Sequence, residues 1–249
     1  LYFFSRFTYK KYLYGYLYPR IVSKPNHVPR YSGIARNISR FGFNSGETDL
    51  SGIGYQNNWL VFQIGRGRES WGSIDGMNLA LNQNSSPYDY FLLGSDYGKL
   101  RVKYIHGFLE SNNEQVNRYI TARGVEWSNE NSLVIGLSES VIYSGKDRPI
   151  DFSYMNPISS HLEVELNDKL NNIGDIHANA VWQISLDYLF KNKIRVSGNI
   201  LYDEFVLDDE QLAKGKEHGK AYSLRLSFVN RKFKDNLINT YISFIRVGT

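Results

Sequence analysis

The sequence predicts an all-β chain, and a membrane barrel ahead of a soluble sandwich, on three observations. Aromatic residues are abundant, with 19 Tyr, 14 Phe and 4 Trp in 249 residues, and these side chains favour strands. Apolar and polar residues alternate with period two through most of the chain. The alternating runs are about 9 to 13 residues long, where a sandwich strand is typically about 5 to 6 and a membrane-spanning strand about 10.

The first run is residues 10–19, with Tyr12, Tyr14, Tyr16 and Tyr18 on one face and Leu13, Gly15 and Leu17 on the other. A face of tyrosines suits an interfacial girdle, a wet lumen or a sandwich face. Pro25, Asn26 and Pro29 mark a loop over 20–32. Residues 33–43 then set Ile34, Arg36, Ile38 and Arg40 against Ala35, Asn37, Ser39 and Phe41, and read as a strand with a polar interior. Residues 44–58 predict two turns around a short Gly-rich strand, and 59–66 a strongly apolar strand.

From residue 98 the alternation is regular. Leu100, Val102, Tyr104, His106 and Phe108 oppose Arg101, Lys103, Ile105 and Gly107. Two further strands follow over RYITARGVEW and SLVIGLSESVIY, joined by polar turns into an antiparallel meander. Residues 144–180 hold two prolines and many amides and acids, with Leu162, Leu166 and Leu170 spaced as a short helix within 158–170. A connection this long predicts a functional loop or a plug.

Strands return with Trp182, Ile184, Leu186 and Tyr188 opposite Gln183, Ser185 and Asp187, and with Ile194, Val196, Ile200 and Tyr202 opposite Arg195, Ser197, Asn199 and Asp203. After a charged excursion at 207–220, Tyr222, Leu224, Leu226 and Phe228 oppose Ser223, Arg225 and Ser227, and LINTYISFIRV ends the chain. In a membrane barrel the apolar face looks outward, so Arg101, Lys103, Asp187, Arg195, Asp203 and Arg225 are expected to line the lumen. Tyr-rich strands also build soluble barrels and jelly rolls, which keeps that alternative open.

Several function classes recede. The net charge of +4 is scattered among 25 acids, unlike the clustered basic footprint of a nucleic-acid binder. Without cysteine there is no disulfide, thiolate nucleophile or Cys-based zinc site. His27, His106, His161, His177 and His218 lack metal-ligand spacing, so no metal or cofactor is expected. Asp208, Asp209 and Glu210 read as a solvated loop rather than a calcium site. Acid pairs that could serve a glycosidase are Glu69 with Asp75, Glu163 with Glu165, and Asp203 with Glu204. No feature marks any of them as a raised-pKa acid, and no catalytic residue is expected.

The densest motif is GRGRESWGSIDGMNLALNQN at 65–84. It lacks the GxxxxGK[ST] phosphate pattern. Gly65, Gly67, Gly72 and Gly76 permit sharp turns, Arg66 and Arg68 offer planar forks to carboxylates such as those of acidic sugars, and Trp71 either stacks on a sugar ring or packs the loop against a wall.

Gly65-Arg66, Trp71-Gly72, Gly76, Leu79 to Leu81, and Asn82 with Asn84 resemble the capsule-assembly Wzi family. The order that follows is similar too: RYITARGVEW, LVIGLSESVIYSG, FSYMNP and a strand ending in YDEF, so the likeness runs over about 60–206. Ser73-Ile74 and NQNSSP depart from that family's Pro-Gly step and tighter amide pair. The resemblance implies an outer-membrane antiparallel β-barrel of the bacterial cell with loops folded into the lumen, at 65–90 and 144–180. It implies a non-enzymatic, lectin-like protein that binds or organises exported capsular or surface polysaccharide, with a porin or specific solute channel as the alternative. Arg66, Arg68, Trp71, Asp75, Asn82 and Asn84 are the candidate glycan contacts. The expected partners are polysaccharide and outer-membrane lipid, without nucleic acid, for a monomer. Residues 1–249 are expected to be one barrel domain, incomplete at both ends.

Overall fold

The structure, a computed structural model, describes residues 1–74, 77–111, 115–166, 177–203, 213, 219–233 and 236–248. Within them the chain is all-β, as expected. Twelve antiparallel strands pair in chain order: β1 (Ser5–Tyr9), β2 (Leu13–Val22), β3 (Ser45–Gln56), β4 (Leu60–Gly67), β5 (Tyr88–Asp96), β6 (Leu100–Ser111), β7 (Val116–Ser128), β8 (Leu133–Lys146), β9 (His177–Phe190), β10 (Ile194–Asp203), β11 (Gly219–Phe233) and β12 (Asn236–Gly248). Among the described residues β1 and β12 each pair on one side only.

Short turns gather at one end of the sheet, at 10–12, 57–59, 97–99, 129–132 and 191–193, and long connections at the other, at 23–44, 68–87 and 147–176. Local chemistry sets the turns. Lys10 and Lys11, and again Lys191 and Asn192, hold positive φ at consecutive positions, the twist that matches a two-residue hairpin. Asn57 accepts from the amides of Trp59 and Leu60, and Asn129 from those of Asn131, Ser132 and Leu133, so a side chain stands in for the missing backbone partner.

Register separates two faces. Gln63, Leu92, Ile105, Ala122, Ser140 and Val181 form one row across β4 to β9, and Phe62, Leu93, Tyr104, Arg123, Glu139 and Trp182 form the neighbouring row on the other face. Loop 68–87 decides which face is concave, because Ser73 donates to Asn199 on β10. From Gly67 to Ser73 the chain reaches roughly 20 Å. In a flat sheet β4 and β10 would stand six spacings of about 4.8 Å apart, roughly 29 Å. The sheet is therefore curled, with the Gln63 row inside.

The concave face is largely polar, with Gln63, Ser138, Ser140, Gln183, Ser185, Ser197, Asn199 and Ser223 buried there, apart from an apolar area on β5 to β7 formed by Leu92, Ile105, Ile120 and Ala122. Arg101, Lys103, Asp187, Arg195, Asp203 and Arg225 share it by register. The convex face carries Phe62, Leu93, Leu137, Ile184, Leu186, Ile200, Leu224 and Phe244, each between 37% and 53% exposed. Such a continuous exposed apolar belt is what a lipid-facing surface requires. Short turns at one end, long loops at the other, an apolar outside and a polar inside together describe an outer-membrane-type β-barrel wall.

Four local expectations change. Residues 31–39 are irregular, and only Arg40 and Phe43 bridge, because Phe41 and Gly42 form a tight turn with φ of 53° and 80°. The Gly-rich stretch at 45–56 is instead a full-length strand, β3. Its Gly52 and Gly54 face Tyr16 and Tyr14, and a Cβ at Gly54 would lie 2.5 Å from the Tyr14 ring. Residues 10–12 turn rather than extend, so Tyr12 leaves the tyrosine row.

The fourth change concerns the long connection after β8. Its described part holds α1 (Phe152–Met155) and α2 (His161–Leu166), while the rest of the expected helix to residue 170 lies outside the described residues. This part covers the convex face rather than the lumen. Tyr104 Oη donates to the Tyr154 carbonyl at 2.8 Å, Arg123 Nη1 to the Asn156 carbonyl at 2.9 Å, and Glu139 accepts from His161 N at 2.9 Å and Trp182 Nε1 at 3.0 Å. All four wall residues belong to the convex row. Their polar groups need partners there, and α1 and α2 bring them.

Candidate functional site

Loop 68–87 crosses the concave side and is fastened along its length. At its root Arg68 Nη2 meets Asp49 Oδ1 at 2.5 Å, and Asp49 also takes Arg20 Nη2 at 2.8 Å. Glu47 completes the ion-paired rim by pairing with Arg20. Next along the loop, Glu69 pairs with Lys103 and accepts from Tyr90 Oη at 2.8 Å. Tyr90 Oη also accepts from Gln63, whose amide holds Tyr14 and Tyr16 as well.

Trp71 is buried with Leu81, Tyr88, Tyr90, Leu92, Ile105, Ile120 and Ala122, and its backbone bridges to Leu81. The Lys103 ammonium stands 5.6 Å over the indole, within cation–π range. Gly124 on β7 makes room for the ring, since a Cβ there would sit 2.8 Å from Trp71 Cζ2. Trp71 therefore packs the loop on the wall.

At Gly72 the backbone turns with φ of 138°, and a Cβ would meet Asn78 Oδ1 at 2.4 Å, Gln183 Nε2 at 2.7 Å and Asn199 Oδ1 at 2.8 Å. Those three amides grip the tip. Gln183 on β9 accepts from Leu79 N and Ala80 N, each at 3.0 Å, and donates to the Trp71 carbonyl at 3.0 Å. Asn199 on β10 accepts from Ser73 N at 3.0 Å and donates to Ser223 Oγ at 2.9 Å, while Ser73 Oγ donates to the Gly198 carbonyl at 2.7 Å. Arg225 on β11 reaches Met77 Sδ at 3.2 Å.

Two clefts remain beside the loop. One, of about 400 Å³, lies toward β4–β7 with Trp59, Asp96, Arg101, Lys103 and Glu126 on its wall. The other, also about 400 Å³, lies toward β10 and β11 between Ser73, Asn78, Arg195 and Arg225. Arg195 is held by Asp187 through two nitrogens, whereas Arg225 has no carboxylate at ion-pair distance among the described residues.

The sequence-predicted contacts divide. Arg68, Trp71, Asn82 and Asn84 come together in the loop, where Asn82 donates to Asn78 O at 2.9 Å and accepts from Asn84 N at 3.0 Å, and Asn84 accepts from Arg30. Arg66 shares the convex face with Phe62 and Ile64 and pairs with Asp89 at 2.9 Å. Asp75 and Gly76 lie outside the described residues, as do Glu204 and the Asp208, Asp209, Glu210 cluster. Of the acid pairs, Glu69 is committed to Lys103 and Tyr90, and its expected companion lies outside the described residues. Sequence reasoning missed Gln183, Asn199 and Gln63. For Gln183 and Asn199 the available signal was an amide beside serine on the polar face of a strand, a residue able to donate and accept at once; Gln63 stands on a strand without serine. No group of His or acids able to hold a metal occurs among the described residues.

No family model matches the chain, and no curated protein sequence does either. Among solved structures, a porin is similar over 93% of this chain and 72% of its own, with 9% identity and a TM-score of 0.45. OpdQ of Pseudomonas aeruginosa is similar over 95% of this chain and 74% of its own, with 13% identity and a TM-score of 0.32. The barrel assignment rests on the register, curvature and two-faced wall described above.

Proposed function

We propose that the chain forms a diffusion channel of the bacterial outer membrane, with loop 68–87 as its constriction. One observation carries this reading: the loop is pinned to both walls, by Asp49 and Tyr90 on one side and Gln183 and Asn199 on the other, yet leaves a cleft on each flank, one with Asp96, Arg101, Lys103 and Glu126 among its lining and one with Arg195 and Arg225. A loop so held narrows a passage without sealing it. Channel function ranks above polysaccharide attachment because Arg68, Trp71, Asn82 and Asn84 spend their hydrogen-bonding or packing capacity on the protein itself. The Arg225 guanidinium beside one cleft favours anionic solutes there.

Planar-bilayer recording tests the reading. Discrete conductance steps are expected from the folded chain, with Arg225→Glu moving the reversal potential in a salt gradient toward cation preference. A chain that inserts without conducting overturns it.

A further inference from the structure

A second feature lies at the long-connection rim, where residues 34–44 fold back against the ends of β2 and β3. Arg36 N donates to Asn44 O at 2.9 Å, and Arg40 and Phe43 exchange backbone bonds at 2.7 and 2.9 Å. The turn between them places Phe41 at φ 53° with its side chain 100% exposed, and Ile34 and Ile38 are 84% and 73% exposed. A bulky residue in left-handed conformation, held wholly in the open, is strained and poorly solvated at once.

Beside it, neither the Arg36 nor the Arg40 guanidinium has a hydrogen-bond or ion-pair partner among the described residues. These side chains line a cleft of about 870 Å³ with Ile21, Asn37, Phe43 and Asn44. Ile21 alternates with Arg20, whose ion pairs to Glu47 and Asp49 join the root of loop 68–87, so Ile21 looks to the convex side. β2 is 10 residues long, about the length that crosses a hydrocarbon core. Its end at Val22 therefore stands at the membrane–water boundary.

We propose that residues 34–43 bind the phosphorylated headgroup of a membrane glycolipid at this rim, an assignment that rests on the membrane-barrel reading. Arg36 and Arg40 engage phosphate through their planar forks. Ile34, Ile38 and Phe41 enter the adjoining acyl layer, continuing the apolar belt of the convex wall. Unpaired cations next to exposed apolar side chains match an anionic lipid on both counts, charge at the headgroup and hydrocarbon beneath it.

The test uses the full chain inserted in phosphatidylcholine vesicles doped with lipid A, extracted into non-ionic detergent, with co-purifying lipid counted by native mass spectrometry. The expected result is retention of lipid A by the native chain, at least about tenfold lower retention by Arg36→Gln/Arg40→Gln, and partial recovery in the Lys pair. Dephosphorylated lipid A gives a control on the unaltered protein, independent of whether variants fold. It is expected to be lost on extraction, and inorganic phosphate is not expected to displace the intact lipid. Equal retention of lipid A and its dephosphorylated form by an inserted chain overturns the proposal alone. A chain that fails to insert overturns the membrane reading and this proposal with it.

Discussion

At the residue scale, single side chains serve two elements at once. Gln183 uses both ends of its amide, accepting from two loop amides and donating to a loop carbonyl. Gln183→Leu leaves those three backbone groups without their partner in a buried site, at about 1–3 kcal/mol for each that water does not reach. The expected outcome is a lower urea midpoint in detergent and rapid partial closures in bilayer current; a quiet, unshifted channel would mean that the loop is held elsewhere. Gly72→Ala places a methyl within 2.4 Å of Asn78 Oδ1 at a φ that L residues avoid. It is expected to give the same noisy current by a different route. The glycines of the motif were visible in the sequence, and so was Trp71. Gln183 and Asn199 were visible only as members of a hydrated face, because their partners in loop 68–87 lie more than 100 residues away in sequence and no local pattern encodes a contact at that separation.

At the scale of elements, the strands were legible because alternation is a local property. The connection after β8 was not, because its position depends on what the wall beneath it needs. Arg123 and Glu139 stand side by side on the convex row, 3.3 Å apart and nearly buried. A charged pair facing lipid is costly unless covered. The cover is an aromatic column in which Tyr119, Tyr143, Tyr154 and His161 follow one another at centroid distances of 4.9, 4.7 and 5.8 Å. Tyr154 is the residue of α1 that enters this column, and it is fully buried. Tyr154→Ala is expected to cost about 3–5 kcal/mol and to expose residues 150–160 to limited proteolysis while the strands stay intact. Unchanged cleavage would show that α1 is held by its backbone contacts alone. The irregular stretch at 31–43 escaped sequence reading for a related reason: its period-two spacing puts Ile34 and Ile38 on one face with Arg36 and Arg40 and so separates no apolar face, and a turn at Phe41 and Gly42 takes it out of the sheet.

For the whole molecule, the decisive property is that the same strand is apolar to one side and polar to the other, with opposite consequences for a charge on each. Leu224 and Ser227 lie on one strand, β11, with Leu224 paired to Gly198 and Phe244 on the convex belt and Ser227 paired to Arg195 on the concave face. In a membrane barrel, Leu224→Arg puts a cation into hydrocarbon and costs about 2–4 kcal/mol near the midplane. Ser227→Arg adds a cation to a watered lumen, where the cost is small and the effect appears in ion selectivity. In a soluble sandwich, an exposed Leu224 replaced by Arg would be neutral within about 0.5 kcal/mol. Urea titration of the chain folded into lipid vesicles distinguishes the two cases, read by the shift in gel mobility between heated and unheated samples. The expected order of stability is native and Ser227→Arg together, with Leu224→Arg well below. Equal stability for all three would remove lipid from the convex face, and with it the membrane barrel.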